Sequence, residues 1–223
     1  MTMPPWSYTA LDCFENCPKQ YHSRYVLKRK SPETEQTKHG TEVHGALELR
    51  VRDGKPLPEA YRGYEPLAGA IAKQKDLGRA VTCEMPLAID KEFKPCDFFG
   101  KNVWGRGKAD LVVRNDPKAW VGDWKTGKVR EKEFQVKIFA AFIFKMLPQI
   151  QTVTANNIWL AADKLGQTYT FERHQEPAIW NEILHKINRI ELAFEKDAFN
   201  AKPSGLCGWC EVLDCPYNPK GGR

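Results

Sequence analysis

No apolar run in this 223-residue sequence approaches the length of a membrane span, which excludes a transmembrane helix. The opening stretch, MTMPPWSYTA, has neither the basic nor the apolar region of a secretion signal, so a cytoplasmic location is expected. Internal repeats and low-complexity segments are missing, which leaves out solenoids and tail-like sequences. Nothing reads as a base-recognition helix, so binding to a defined nucleotide sequence is not expected. The seven cysteines are an odd number and come without an export signal, which argues against a disulfide framework.

The chain is long enough for one sizeable core with a small appendage. Its formal charge of +6 is a mild basic excess, compatible with a nucleic-acid partner. Residues 7–17 suit a short helix with Ser7 as N-cap and Leu11 and Phe14 on one face. Residues 18–35 are basic and polar, a loop or frayed helix. The stretch TKHGTEVHGALELRVRDG reads as a helix ended by Gly54, and 66–77 as another closed by Gly78. The period then changes. AVTCEMPLAI, VWGRGKADLVVRN and AWVGDWKTG read as three successive strands, with a turn at Asn115-Asp116-Pro117 and an end at Gly127. Residues 131–147 form a buried helix stopped at Pro148. NNIWLAA and QTYTFER read as two more strands around a turn at Lys164–Gly166. Ile179, Ile183, Ile187, Ile190 and Phe194 mark an amphipathic helix over 178–199. From Lys202 onward the chain has no periodicity and calls for an external fastener.

Chemistry concentrates on two strands. Asp123 and Lys125, two residues apart in VGDWKTG, point to the same face of a strand. Asp110 in GRGKADLVV lies among apolar neighbours, where an unpaired carboxylate is costly. On neighbouring strands, Asp110 and Asp123 reach one cation of the Mg²⁺ or Mn²⁺ kind. An exposed Asp123–Lys125 ion pair is the plainer alternative. His44, on a helix whose Gly40 and Gly45 permit close backbone approach, is a candidate third ligand. Glu84 in TCEMPL is an auxiliary acid or a polar residue on an edge. Glu48, one turn after His44, assists through a water or is simply solvated.

These residues carry a resemblance. GTEVHGALE with His44, GRGKADLVV with Asp110, GDWKTG with Asp123 and Lys125, and QVKIFA starting at Gln135 occur in the order of the RecB-like branch of the PD-(D/E)XK nucleases. The resemblance implies an α/β fold, a restriction-endonuclease-like core with a central mixed sheet flanked by helices. It implies one nuclease domain over 1–223, with the core at about 36–200. His44, Asp110 and Asp123 would hold Mg²⁺ or Mn²⁺. Lys125 would activate or position the attacking water, and Gln135 would contact the phosphate backbone or tune the lysine. Phe139 stands where the family carries tyrosine.

The same resemblance extends to the cysteines. The iron–sulfur branch, AddB-like and CRISPR-adaptation-type nucleases, has one Cys before the core and three after it. Cys17 in FENCPKQY and Cys207, Cys210 and Cys215 in LCGWCEVLDCPY match those positions. They imply a [4Fe–4S] cluster in a subregion formed by about 7–30 with 201–223; zinc is the second choice, and Cys13 the alternative ligand. The implied activity is a DNA exonuclease acting on single strands or open ends in recombination, repair or replication, with a possible protein partner from those processes. A structure-selective endonuclease and a non-catalytic DNA-binding module are the alternatives. Lys28, Arg29, Lys30, Arg106, Lys108, Lys128, Arg130, Lys132 and Lys137 would supply phosphate contacts. Trp104, Trp124, Trp209, Tyr61 and Tyr64 are candidates for stacking on bases or for the core.

Overall fold

A computed structural model describes residues 2–221. The chain divides into two compact units, one spanning Thr34–Trp180 and the other made of the two ends, up to Glu33 and from Asn181. No helix among the described residues is long and apolar enough to cross a membrane.

The larger unit is an α/β structure around a six-stranded mixed sheet. Strands β1 (Ala80–Ile89), β2 (Gly105–Asn115) and β3 (Lys118–Lys125) form the expected antiparallel meander. Helix α5 (Glu133–Met146) then crosses over to β4 (Thr152–Trp159), which runs parallel to β3. Such a parallel step needs a long connection, and α5 supplies it. The short β5 (Lys164–Leu165) and β6 (Tyr169–Glu172) both pair antiparallel with β4. Every residue from Val136 to Phe144 except Lys137 is buried, so α5 is a core helix, apolar nearly all round.

The opposite face of the sheet packs on α3 (Glu35–Asp53) and α4 (Glu65–Ala72). Val43, Leu47 and Val51, spaced by four on α3, meet Leu111, Val113, Trp124 and Ile158 of the sheet. Thr34 and Thr37 cap α3 reciprocally, and Gly54 ends it in the left-handed conformation at φ 72°. Gly122 is required by close approach, because a Cβ there would lie 2.5 Å from the Trp120 ring and 2.9 Å from Ile158. Trp120 lies across it and donates its indole N–H to Asn156 Oδ1 at 2.9 Å.

The antiparallel ladder of β1 and β2 breaks once. Cys83 pairs Leu111 and Met85 pairs Ala109, but Glu84 and Asp110 between them are unpaired. Glu84 sits at φ 51°, in the left-handed region. Facing changes across the break: Gly107 looks toward Phe139 and Phe142 of α5, whereas Leu111 and Val113 belong to the α3–α4 cluster. In an uninterrupted strand these odd-numbered residues would share one side.

The smaller unit contains α1 (Tyr8–Asn16), α2 (Pro18–Tyr21) and a π-helical turn at His22–Val26; α6 (Glu176–Glu195) extends into it. Ser7 caps α1 by accepting from the Ala10 N–H at 3.2 Å. Residues 18–26 are helical rather than a loop, because Pro18 starts a new helix and Tyr21 is anchored among rings. Tyr21 meets Phe14 at 5.4 Å and Phe194 and Phe199 at 6.4 Å each.

The protein itself also makes contacts that hold the tail. Glu211 pairs with the Arg24 guanidinium and accepts from Gln20 Nε2 at 3.1 Å. Asp214 pairs with Arg29 at 3.1 Å, and its carbonyl accepts from Lys19 at 3.1 Å. Val212 and Asn218 are buried, with the Asn218 amide donating to the carbonyls of Cys210 and Val212. A sequence without periodicity therefore docks through specific polar contacts.

Candidate active site

Three elements bring acids and a histidine together. α3 presents His44, β2 presents Asp110, and the strained break in β1 turns Glu84 toward both. Ligand atoms of His44, Glu84 and Asp110 lie within 4.8 Å of one another. His44 Nδ1 is 3.5 Å from Asp110 Oδ2, and that oxygen also accepts the Trp124 backbone N–H at 2.8 Å. Lys108 Nζ lies 2.9 Å from Glu84 Oε2. Two carboxylates and an imidazole, part-exposed, form a donor set suited to a hard divalent cation with open positions. Glu84 at positive φ places backbone strain at this cluster.

Asp123 lies beside this group in a second arrangement. It is 3 % exposed and is held from two sides. Gln135 Nε2 donates to Asp123 Oδ1 at 2.8 Å, and Lys125 Nζ is 2.5 Å from Asp123 Oδ2. Lys125 Nζ also donates to Gln135 Oε1 at 3.0 Å, closing a triangle of three side chains. The bland alternative, an exposed Asp123–Lys125 pair, is thus overturned: the pair is walled in by α5. The three-residue triangle explains Gln135, which stands in the first turn of α5 and reaches back to β3.

The charges interact. Burial pushes the Asp123 carboxyl up to about 6 against the opposing pull of the Lys125 ammonium, with Asp110 adding to the rise. Burial pulls the His44 imidazolium down, but the hydrogen bond and charge of Asp110, with Asp123 and Glu84 behind it, lift it above its ordinary value. Asp110 raises both groups, while burial, the larger cause at Asp123, acts in opposite directions on the acid and the imidazole.

Other expectations resolve individually. Glu84 joins the group, whereas Glu48 pairs with Arg52 on α3. Gly45 has open space around it, with no neighbouring element within 4 Å of a Cβ there, and Gly40 meets only the Thr126 side-chain hydroxyl, at 3.4 Å, so no other backbone approaches either glycine. Phe139 is buried against the outer half of β2. Trp124 is core, Trp104 packs edge-on to Phe93, and Trp209 is 79 % exposed. Lys128 and Arg130 are exposed on the strap after β3. Glu131 pins that strap by accepting from Asn157 Nδ2 at 3.2 Å and the Gln167 N–H at 3.1 Å. Asn157, the register partner of Asp123, is fully buried, and its Oδ1 has no hydrogen-bond partner among the described residues. Sequence reasoning missed it; a polar pair inside an otherwise apolar strand was the available signal.

The cysteines form a separate site in the smaller unit. Cys17, Cys207, Cys210 and Cys215 line one cavity of about 400 Å³. Backbone N–H groups of Lys202 and Ser204 point at the sulfurs of Cys17 and Cys207, at 3.4 and 3.3 Å, and Gln20 Nε2 lies 3.7 Å from Cys210 Sγ. Burial raises the Cys210 thiol above its ordinary value. Cys13 stands apart from the cavity, and burial pushes its thiol up to about 11. Among the described residues no three of these sulfurs come within 4.8 Å of one another.

A search among curated proteins gives no match. One solved structure, described as "Crystal structure of SSO0001", aligns over 98% of this chain and 89% of that one, at 15% identity and a TM-score of 0.47, a likeness too loose to bear on function. The family model of the PD-(D/E)XK nuclease superfamily matches residues 5–215. That span takes in His44, Asp110, Asp123, Lys125, Gln135 and the four cavity cysteines, and the chain belongs to the PD-(D/E)XK nuclease superfamily.

Proposed function

We propose that this chain is a Mg²⁺- or Mn²⁺-dependent deoxyribonuclease that works as an exonuclease at single-stranded or open DNA ends, in recombination, repair or replication. The observation that carries it is the cation-ready group His44–Glu84–Asp110 beside the closed triangle Asp123–Lys125–Gln135. His44, Glu84 and Asp110 would hold the cation, with Asp123, the third ligand that the sequence resemblance implies, beside them. When bound, the cation supplies Lewis-acid polarisation of the phosphate and a lowered water pKa. Lys125 places its ammonium where negative charge grows on the phosphate oxygens and orients the incoming water. Asp123 and Gln135 hold that ammonium in place, so it costs no reorganisation during reaction.

The four cavity cysteines are the ligands of a [4Fe–4S] cluster in this reading. All-thiolate donors lining one cavity and N–H groups aimed at sulfur support it. The cluster is structural: with Cys17 and Cys207 it closes a loop of about 190 residues.

Labelled linear DNA with Mn²⁺, comparing wild type with Asp123→Ala, tests the activity; equal rates for the two would remove it. Circular single-stranded DNA tests the mode, since an exonuclease leaves it whole and an endonuclease opens it. Anaerobically purified protein should be brown and carry iron; colourless protein with stoichiometric zinc would remove the cluster.

A further inference from the structure

The β1–β2 connection, residues 90–104, is fixed at its base and bare at its tip. At the base, Asp90 Oδ1 accepts the N–H groups of Glu92 and Lys94 at 3.0 and 2.9 Å. The Cys96 and Trp104 N–H groups return to the carbonyls of Ala88 and Ile89. Phe93 sits edge-on to Trp104 at 5.5 Å and to Trp180 at 4.8 Å, with the Lys145 ammonium 5.3 Å from its ring.

At the tip, Phe99 is 82 % exposed, the highest value of any large apolar residue among the described ones. Its position is nonetheless set. Asp97 Oδ1 accepts the Phe99 N–H at 3.2 Å, and the Gly100 N–H closes the turn on Asp97 O at 2.9 Å. The Phe98 ring stands across it at 5.0 Å and 80°. The Arg106 guanidinium lies 5.2 Å from the Phe98 ring and 5.9 Å from the Phe99 ring, and donates to the Phe98 carbonyl at 3.2 Å.

This tip is at the active-site end of the sheet. β2 runs antiparallel to β3, with Leu111 opposite Gly122, so the start of β2 projects past Lys125, the end of β3. Arg106 precedes Asp110 by four strand residues, about 13 Å. Lys108 stands between them, beside Glu84. A row of cations therefore connects the cation-ready group to an exposed aromatic, the combination that tracks a single strand: charge for phosphates, a ring for a base. The neighbours of Phe99 favour this occupant over an apolar protein face, because Asp97, Gly100, Lys101 and Asn102 offer no continuous apolar patch.

We propose that Phe99, backed by Phe98 and Arg106, is a stacking platform for an unpaired base of the DNA strand whose backbone runs along Lys108 toward Asp110. The platform rests on the nuclease reading for its substrate class and makes the enzyme favour ends with unpaired bases. The test is equilibrium binding of a short oligonucleotide carrying 2-aminopurine, read by its fluorescence, in a Lys125→Ala background that keeps the strand uncut. Phe99→Ala should weaken single-strand binding between about fivefold and about 150-fold, and Phe99→Trp should restore it. Blunt duplex binding should change less than single-strand binding. Unchanged single-strand affinity in Phe99→Ala, or an equal loss on blunt duplex, would overturn the platform. Cleavage by the otherwise unaltered chain with Mn²⁺ separates the two readings. Binding through Phe99 without cleavage removes the nuclease and keeps the platform; cleavage indifferent to Phe99→Ala on overhanging ends does the reverse.

Discussion

Glu84 shows how one side chain can be set against the stability of its own backbone. Its φ of 51° costs about 1–2 kcal/mol for a residue with a Cβ, and its carboxylate adds to the negative charge around Asp110. Glu84→Gly should therefore raise stability without metal by about 0.5–1 kcal/mol, after the extra chain entropy of glycine is subtracted. The same change should remove most of the Mn²⁺-dependent rise in melting temperature and most cleavage. Thermal melts with chelator and with Mn²⁺ check both halves. His44 supplies the pH dependence. Its folded pKa is raised, so a proton competes with the cation from above the usual histidine range downward. Cation affinity should fall as pH falls through that range, with proton release on binding measurable by calorimetry in buffers of different ionisation enthalpy.

Helices and strands differ in how openly the sequence declared them. β1 was readable to its ends, because AVTCEMPLAI is bounded by Gly78 and by the polar run after Ile89. Strand periodicity put Asp123 and Lys125 on one face, and Asp110 stood out by its apolar neighbours; the structure places the three at one end of one sheet. β4 begins at Thr152, four residues before the expected start, its first half, TVTA, carrying a β-branched strand signal that the expected boundary passed over. The convergence of Glu84 was not readable, since a positive φ at glutamate has no sequence signature. Gly45 was read as a close-packing site, but a Cβ there has no neighbour within 4 Å. Gly45→Ala should stabilise α3 by about 0.5–1 kcal/mol through helix propensity alone, which chemical denaturation will measure.

Across the full chain, Glu211 ties the ends alongside the proposed cluster and the Asp214 contacts. Burial alone would raise the Glu211 carboxyl, but hydrogen bonds from Arg24, its own backbone N–H and Gln20, with the Arg24 charge, bring it down to about 2. A lowered carboxyl pKa gives stability that is complete above the ordinary value near 4.5 and is lost as pH falls toward about 2. Cys215→Ser should thus lose iron yet keep the tail protected from protease near neutral pH. Cys215→Ser with Glu211→Gln should expose it, and limited proteolysis with mass spectrometry distinguishes the two. In the single variant, protection should fade over the same acid window.

The change of facing at Glu84 and Asp110 gives the hairpin a parity. Residues between that break and the loop can be gained or lost only in twos without exchanging the row of Arg106 and Lys108 for the row of Gly107 and Ala109. A single-residue deletion would turn the two cations into the α5 core and the apolar row outward. Length variation in homologous hairpins should accordingly gather beyond Ile89 and before Gly105, in the connection that carries Phe99, where the count is free.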